Sequence, residues 1–403
     1  MYIDKDFRPC LRFMVVSDIH YKDEPGVENE RFEKAIKIAY RLSGEQEYKN
    51  LDALYIVGDF ANDGSEKQML AIKKTLDDNV KEGTQVCITL ASHEFSERNG
   101  GEQAALERFS RIFNMPYDDH RVINGFHFIS LTTTRGCHFD DAKKKYAKEQ
   151  LEIASKDEGK PIFFFQHPHI TDTVYGSIDW GEKDLIPILV NYPQIINFSG
   201  HSHAPVNDPR SVHQEHFTSL GTGTLSYFEC DEYDKVYGTV PPKDENAAQM
   251  LIVEADEKGR VRVYPYDVLT DSFFPKRWAI DEAWNPDSFL YTDDRWKSTY
   301  QPYFEDGAKL DVSIDNGKIK VVIPQAKDDE EGFVDDYFVN LRNSGGFIIG
   351  RQSVWSEYYF ADMPKTVTVL FDLPESGEYT VEVKARSFWH TFSRNSLTAK
   401  ISV

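Results

Sequence analysis

The stretch that decides the fold is Ile195-Ile196-Asn197-Phe198-Ser199-Gly200-His201-Ser202-His203, a hydrophobic run that leads directly into two histidines. If the run continues as a period-two strand, the side chains of His201 and His203 project from the same face. Two imidazoles directed at one point are costly unless something uses them, and a metal ion is the commonest user. The stretch therefore predicts a strand that delivers metal ligands at its C-terminal end.

Earlier apolar runs end in the same way, each in a short polar patch. These runs are Leu11–Val16, Leu51–Val57, Gln85–Leu90 and Pro161–Phe165. Helical spacing of apolar residues between runs, as in 28–42, indicates βαβ units. Open α/β sheets build their sites at the carboxyl ends of strands. We therefore expect an α/β fold of layered mixed β-sheets flanked by helices, with one site at the strand ends.

The chain has 403 residues, and a chain of this length usually folds into more than one domain, each with its own hydrophobic core. We expect a catalytic domain over 1–266 and an ordered, aromatic-rich connector over 267–302, where regular periodicity fades. Residues 303–403 contain about seven short strands, and Leu373-Pro374 followed by Tyr379 resembles a tyrosine corner. This last segment therefore predicts an all-β, immunoglobulin-like sandwich.

The net charge of the chain limits the classes of binding partner that we expect. The formal net charge is −21, which repels polyanions, so we expect neither nucleic acid nor an anionic membrane surface as a partner. A small phosphorylated substrate remains compatible with this charge if metal ions supply local positive charge. The oligomeric state is left open.

The expected location is the cytoplasm. The N-terminus has no basic segment and no apolar core typical of a signal peptide, and the apolar runs are too short to cross a bilayer. The four cysteines lie far apart without a Cys-x-x-Cys pair, which favours a reducing compartment.

The polar patches supply carboxylates and imidazoles. They contain Asp18, His20, Asp59, Ser92, His93, Glu94, His167, His201 and His203. A donor set without thiolates suits manganese, iron or zinc rather than a structural zinc site. A carboxylate such as Asp59 can bridge two cations about 3.5–4 Å apart, an arrangement that clamps an in-line displacement.

The patches resemble the five ordered blocks of the calcineurin-like metallophosphoesterase family. The blocks are Asp18-Ile19-His20, Gly58-Asp59-Phe60-Ala61-Asn62-Asp63-Gly64, Ala91-Ser92-His93-Glu94, His167 and Gly200-His201-Ser202-His203. The resemblance covers roughly residues 10–266 and leaves the C-terminal segment outside. It implies a two-layered catalytic domain and hydrolysis of a phosphoric mono- or diester by metal-bound hydroxide at a dinuclear site.

The resemblance also implies a role for each matching residue. The implied ligands are Asp18, His20 and His203 for one metal ion, His167 and His201 for the second, and Asp59 as the bridge. His93 matches a histidine that does not bind metal but assists the transition state or protonates the leaving oxygen.

The third block departs from the family pattern. Ala91-Ser92 stands where the family has Gly-Asn, and that Asn gives a side-chain oxygen to the second metal ion. Ser92 has a shorter side chain, so its hydroxyl or an intervening water would have to serve. The departure keeps an alternative open: a metal-binding protein of weak catalytic power that acts in binding or regulation.

For other polar residues, the sequence leaves two interpretations of their role open. Asn62 and Asp63 form a turn signal or orient metal ligands. Glu94 supports the ligands or caps the next helix, and Tyr175 lines a substrate pocket or lies at the surface. His169 would face the same side as His167, in a supporting or substrate-contacting role, if the strand continued, although Pro168 favours a turn. We expect substrate specificity to come from loops 21–28, 95–101, 137–141 and 170–180.

Overall fold

A computed structural model describes residues 6–231 and 238–403 of the chain. The chain divides into two compact units, one of Met1–Cys230 with Pro242–Thr292 and one of Asp231–Pro241 with Asp293–Val403. The domain boundaries expected from the sequence stay predictions. Within the described residues, none of the helices combines the length and the apolar character that a membrane crossing requires.

The strands of the first unit are numbered in chain order. They are β1 (Pro9–Val16), β2 (Ala53–Val57), β3 (Gln85–Thr89), β4 (Asp119–Ile123), β5 (Phe126–Ser130), β6 (Ile162–Phe165), β7 (His169–Ile170), β8 (Gly181–Glu182), β9 (Ile195–Ser199), β10 (Val212–Gln214), β11 (Thr218–Gly221), β12 (Gln249–Asp256), β13 (Val261–Asp267), β14 (Ser272–Phe273) and β15 (Trp278–Ile280).

The α-helices of the described residues all belong to the first unit. They are α1 (Val27–Gly44), α2 (Glu66–Asn79), α3 (Gly101–Phe113), α4 (Asp141–Ala154), α5 (Ser177–Trp180) and α6 (Ile186–Leu189). Short 3-10 turns are Glu97–Asn99, Pro209–Ser211, Asp244–Asn246, Pro286–Ser288 and Asp293–Lys297.

Two mixed sheets form the centre of the first unit. One has the order β14-β13-β12-β1-β2-β3, with β15 also paired to β13, and its strands β1, β2 and β3 run parallel. The other has the order β10-β11-β9-β6-β5-β4, with β5, β6, β9 and β11 parallel. Because neighbouring parallel strands end at the same edge, both sheets present several carboxyl ends together.

Side-chain alternation along the strands divides the core into layers. Phe13 of β1 and Tyr55 of β2 meet Phe163 and Phe165 of β6, with ring centroids 4.9 Å apart for Phe13–Phe163 and 3.9 Å for Tyr55–Phe165. The opposite faces of the two sheets pack on helices: α1, α2 and α3 cover the first sheet, and α4 and α6 cover the second. The expected fold of layered mixed sheets between outer helices is confirmed.

The second unit is all-β among its described residues. Its strands are β16 (Asp311–Asp315), β17 (Lys318–Pro324), β18 (Asp336–Asn343), β19 (Ile348–Trp355), β20 (Thr366–Asp372), β21 (Glu378–Arg386) and β22 (Leu397–Ser402). They form a three-stranded sheet, β16-β17-β20, and a four-stranded sheet, β19-β18-β21-β22, which share one apolar core.

The tyrosine corner is present in this unit. The hydroxyl of Tyr379 donates a hydrogen bond to the carbonyl of Glu375, 2.6 Å away, as the sequence pattern predicts. The immunoglobulin-like assignment itself stays a prediction.

The 267–302 segment, expected as an ordered connector, contributes β14 and β15 to the first sheet. One local expectation differs from the structure. Strand β9 ends at Ser199, so His201 and His203 lie in a loop rather than on a strand, with φ angles of 73° and 54°.

Candidate metal centre

Hydrogen bonds between loops bring the strand ends together. After β1 and β2 the chain continues side by side, because the backbone N–H groups of Asp18 and His20 donate to the carbonyls of Gly58 (3.2 Å) and Asp59 (3.1 Å). On the second sheet, the N–H of Gly200 donates to the carbonyl of His167 (2.9 Å). The polar patches that follow separate strands are thereby held at one place.

The backbone adopts an unusual conformation at these loops. Five of the expected ligands have φ angles between 47° and 73°, in the left-handed region that non-glycine residues rarely occupy: Asp18, His20, Asp59, His201 and His203. Such conformations cost roughly 1–3 kcal/mol each and persist where surrounding structure enforces them, as at functional sites.

One glycine makes the close approach possible. A Cβ at Gly200 would lie 2.5 Å from Oδ2 of Asp18, too close for any other residue. The backbone N–H of His201 donates to the same carboxylate at 3.1 Å.

The side chains form three overlapping groups. Within each group, the ligand atoms lie within 4.8 Å of one another. The groups are Asp18 with His20 and His203, Asp59 with His167 and His201, and His20 with Asp59 and His93. The structure therefore brings together the six expected His and Asp ligands and His93, and it connects the first two groups through Asp59 and His20.

Hydrogen bonds to outer ring nitrogens orient four of these histidines. Backbone carbonyls lie at hydrogen-bond distance from Nδ1 of His93 (2.7 Å), His167 (2.7 Å) and His203 (2.9 Å), which directs their Nε2 atoms inward. His201 is reversed: its Nε2 lies 3.3 Å from Sγ of Cys137, and its Nδ1 lies 3.9 Å from Oδ2 of Asp59. Metal-binding histidines are held by outer partners in this manner.

Electrostatics keep the two carboxylates ionised. Asp18 and Asp59 are 0% and 1% exposed. Burial raises the pKa of Asp18, but His203 and His167 outweigh burial and hold that pKa below its usual range. Burial likewise opposes ionisation of Asp59, and His167 reverses the effect and lowers the pKa of Asp59. Burial lowers the pKa of His167, yet Asp59 and Asp18 raise it to about 10.

The residues fit metal ions. The buried Nε2 of His167 lies 2.9 Å from Oδ2 of Asp59 without hydrogen-bond alignment and has no hydrogen-bond partner among the described residues. The Nε2 atoms of His20 and His203 face each other at 3.2 Å, where at most one of the two can donate a hydrogen bond. Imidazole nitrogens and carboxylate oxygens that converge in this way form a donor set that suits a cation.

Ser92 does lie in the centre, but it faces the bridging carboxylate. Its hydroxyl is 3.2 and 3.4 Å from the two oxygens of Asp59 and donates to them. The backbone N–H of His93 donates to Oδ1 of Asp59 at 3.0 Å. Both donors fix the orientation of Asp59.

Glu94 supports the centre and does not cap a helix. It is fully buried, and its carboxylate accepts hydrogen bonds from the N–H groups of Asp59 (3.1 Å), Ala61 (2.8 Å) and Ala91 (2.9 Å). Burial and the Asp59 charge raise the pKa of Glu94, while the N–H donors of Ala61 and Ala91 oppose the rise. Glu94 thus joins the loops that follow β2 and β3.

His169 is a buried residue that supports the histidine loop. Its ring nitrogens lie 2.8 Å from Oγ of Ser199 and 2.6 Å from Oγ of Ser202. Burial, followed by the neighbouring His201, lowers the pKa of His169 to about 3.

The remaining expected residues are Asn62, Asp63 and Tyr175, and none of them belongs to the three groups above. Asn62 is exposed and contributes its carbonyl to His93. The backbone N–H of Asp63 donates to Oε1 of Gln68 at 3.0 Å. Tyr175 is half-buried and packs on the guanidinium of Arg210, 3.8 Å from its ring centroid.

Three residues near the histidines were not singled out as site residues from the sequence. Cys137 contacts His201, Trp180 lies beside His201 with ring centroids 5.1 Å apart, and Tyr227 lies beside His203 at 4.2 Å. Cys137 and Trp180 fall in the loops expected to set specificity. Tyr227 carries no sequence signal, because only the fold brings it there.

Two of the comparisons with known proteins found similarities to this chain. Residues 11–205 match the model of the calcineurin-like phosphoesterase family. No curated protein matches the sequence. Among solved structures, a purple acid phosphatase from yellow lupin (Lupinus luteus) seeds is similar, with 11% identity and a TM-score of 0.48 over 67% of this chain. The chain spans about half, 53%, of the length of that phosphatase.

We predict that Glu94→Gln lowers metal affinity about 10- to 100-fold, because an outer partner that positions a ligand is replaced. The amide NH₂ would face a backbone donor and leave it unpaired, which costs roughly 1–3 kcal/mol of stability. Titration calorimetry with Mn²⁺ and urea unfolding measure the two effects. Glu97→Gln, at an exposed residue, is the control; equal metal affinity in both variants would contradict the role of Glu94.

A second prediction concerns pH. His169 has a lowered pKa in the folded state, so its neutral ring stabilises the fold above the unfolded pKa of about 6.5, and this stability is lost as pH falls. In chelator-treated protein, the stability difference between wild type and His169→Asn therefore shifts against wild type by up to about 1.4 kcal/mol per pH unit below pH 6.5.

Urea unfolding at pH 7, 6 and 5 measures this difference. Taking a difference cancels the titration of groups that do not interact with His169, and the exposed His216 supplies a surface control as His216→Asn. A wild-type–His169→Asn difference that stays constant over the three pH values contradicts the account.

Proposed function

We propose that the calcineurin-like phosphoesterase domain of this chain hydrolyses a phosphoric ester, mono- or diester, with two metal ions of manganese, iron or zinc. The observation that carries the proposal is the pair of His–carboxylate groups connected through Asp59, buried at the carboxyl ends of parallel strands. Asp18, His20 and His203 would hold one ion, His167 and His201 the other, and Asp59 both.

The bound ions would supply Lewis acidity, which lowers the pKa of a water and neutralises charge on the phosphoryl oxygens. The protein itself contributes fixed geometry. The Asp59 carboxylate accepts hydrogen bonds from the backbone N–H of His93 and from the hydroxyl of Ser92. It therefore cannot rotate freely between the two groups. Preorganised ligands of this kind avoid reorganisation during the reaction.

His93 is suited to proton transfer at the leaving oxygen. Its Nδ1–H is directed to the carbonyl of Asn62, which leaves Nε2 to face the site, and its ring centroid lies 4.5 Å from that of His20. His93 is half-buried, so a substrate can reach it. In its protonated form Nε2 donates to the ester oxygen as the bond to phosphorus breaks.

The proposed substrate is a small phosphorylated molecule rather than a nucleic acid. The net charge of −21 disfavours long-range attraction of a polyanion. The carboxylates of the centre pair with histidines, and bound metal ions would supply positive charge for the phosphoryl group.

Asp59→Asn tests the proposal. The variant loses the bridging charge, and we expect at least a 100-fold fall in kcat on nitrophenyl phosphate mono- and diesters with Mn²⁺-loaded protein, since metal-site ligands carry the chemistry. Asp77→Asn, an exposed helix position, is the matched control. A kcat of Asp59→Asn equal to that of wild type would contradict the proposal.

Ser92 supports the second candidate, a metal-binding protein with weak turnover. Its hydroxyl is directed to Asp59, and a serine reaches less far than the family's asparagine. The two candidates differ in metal content: near two ions per chain supports the hydrolase, and one ion or none without turnover supports the binding protein.

We therefore predict that Ser92→Asn raises occupancy of the second ion and raises kcat several-fold, because an amide oxygen is a better metal ligand at that position. Ser92→Ala is the control, since it removes the hydroxyl without adding a donor. Metal analysis by mass spectrometry and nitrophenyl phosphate kinetics give the two readouts. Unchanged metal content and kcat in Ser92→Asn would show that the second ion does not limit turnover.

A further inference from the structure

An exposed indole lies beside the candidate metal centre. Trp180 is the last residue of α5, a four-residue helix that follows Gly176, and 37% of its surface is exposed. Its ring centroid lies 5.1 Å from that of His201, with an angle of 79° between the rings. An exposed indole beside a polar centre gives an aromatic group a large apolar face to contact.

The segment that carries Trp180 is fixed to the core of the centre. Strand β8 begins at Gly181, directly after the indole, and pairs with β7, which contains the buried His169. The N–H of Thr171 also donates to the carbonyl of Glu182 at 3.0 Å. Trp180 therefore has a defined place relative to the histidines, although its indole is exposed.

The second aromatic residue at the centre has a different position. Tyr227 is half-buried, with its ring centroid 4.2 Å from that of His203 and 6.0 Å from that of His20. Burial raises its pKa to about 12, so the phenol stays neutral. Tyr227 packs against ligands of the first group, whereas Trp180 lies beside the second group and offers more than a third of its surface.

The two buried carboxylates of the centre pair with histidines. Within the described residues, the ion pairs of Asp18 and Asp59 involve histidines and neither Lys nor Arg. Trp180 therefore offers an exposed aromatic surface beside His201, a residue of the second group.

We propose that Trp180 binds the planar aromatic group of the substrate, so that the substrate is a phosphoric ester whose organic part carries an aromatic ring. The inference rests on the proposed function and names its substrate class. An aromatic ring that stacks on the indole gains apolar contact and offset or edge-to-face attraction, which an aliphatic ester cannot reproduce. Stacking of one ring typically changes affinity by about tenfold or more.

The test compares three monoesters: phenyl phosphate, adenosine 5′-monophosphate and glycerol 2-phosphate. We expect Trp180→Ala to lose about tenfold or more in kcat/KM on at least one aromatic ester, mainly through KM, and less than twofold on glycerol 2-phosphate. The two aromatic esters separate a ring attached directly to the ester oxygen from a ring on a ribose. Trp180→Phe retains an aromatic face and should recover most of the loss.

Ile178→Ala is the matched control, because Ile178 lies on the same helix and is 72% exposed. A binding measurement adds a readout without turnover: metal-loaded wild type should bind phenylphosphonate more tightly than methylphosphonate, and Trp180→Ala should abolish the difference. Equal losses on all three esters, no loss, or an unchanged phosphonate preference would overturn the inference. Absence of hydrolysis of every ester by wild type would instead contradict the proposed function.

Discussion

Burial of two ionised carboxylates is the constraint on which the centre depends. Asp18 and Asp59 are almost completely removed from water, and an isolated carboxylate there would cost many kcal/mol. Histidines and backbone N–H groups from loops after separate strands surround them, so the loops must converge for the charges to be tolerated. The five ligand residues with left-handed backbone angles lie in these converging loops, and the two carboxylates are among them.

The layered fold and the convergence of ligands could be predicted from the sequence, for physical reasons. Apolar runs such as Leu11–Val16 indicate strands that are buried on both faces of a sheet. The polar residues that follow them indicate where the strands end. The prediction for His201 and His203 was wrong in its geometry: both lie in a loop and present different ring nitrogens, Nδ1 and Nε2, toward the carboxylates. Periodicity describes regular strands and contains no information on left-handed loop residues.

Residues that act on the ligands from outside were harder to predict. Glu94 was assigned two roles from the sequence, and only the three backbone donors distinguish them. The contact of Cys137 with His201 joins residues 64 positions apart, and Trp180 reaches the same histidine from a short helix. Such contacts depend on how connecting segments fold over the strand ends, which local residue patterns do not encode.

The central claim is that the two His–carboxylate groups hold a pair of metal ions that share Asp59. X-ray diffraction from crystals grown with Mn²⁺, with data collected for anomalous scattering, tests it most directly. The account predicts two peaks about 3.5–4 Å apart, one beside Asp18, His20 and His203 and one beside His167 and His201, with the Asp59 carboxylate between them. Strong peaks elsewhere with none in this cluster would contradict it.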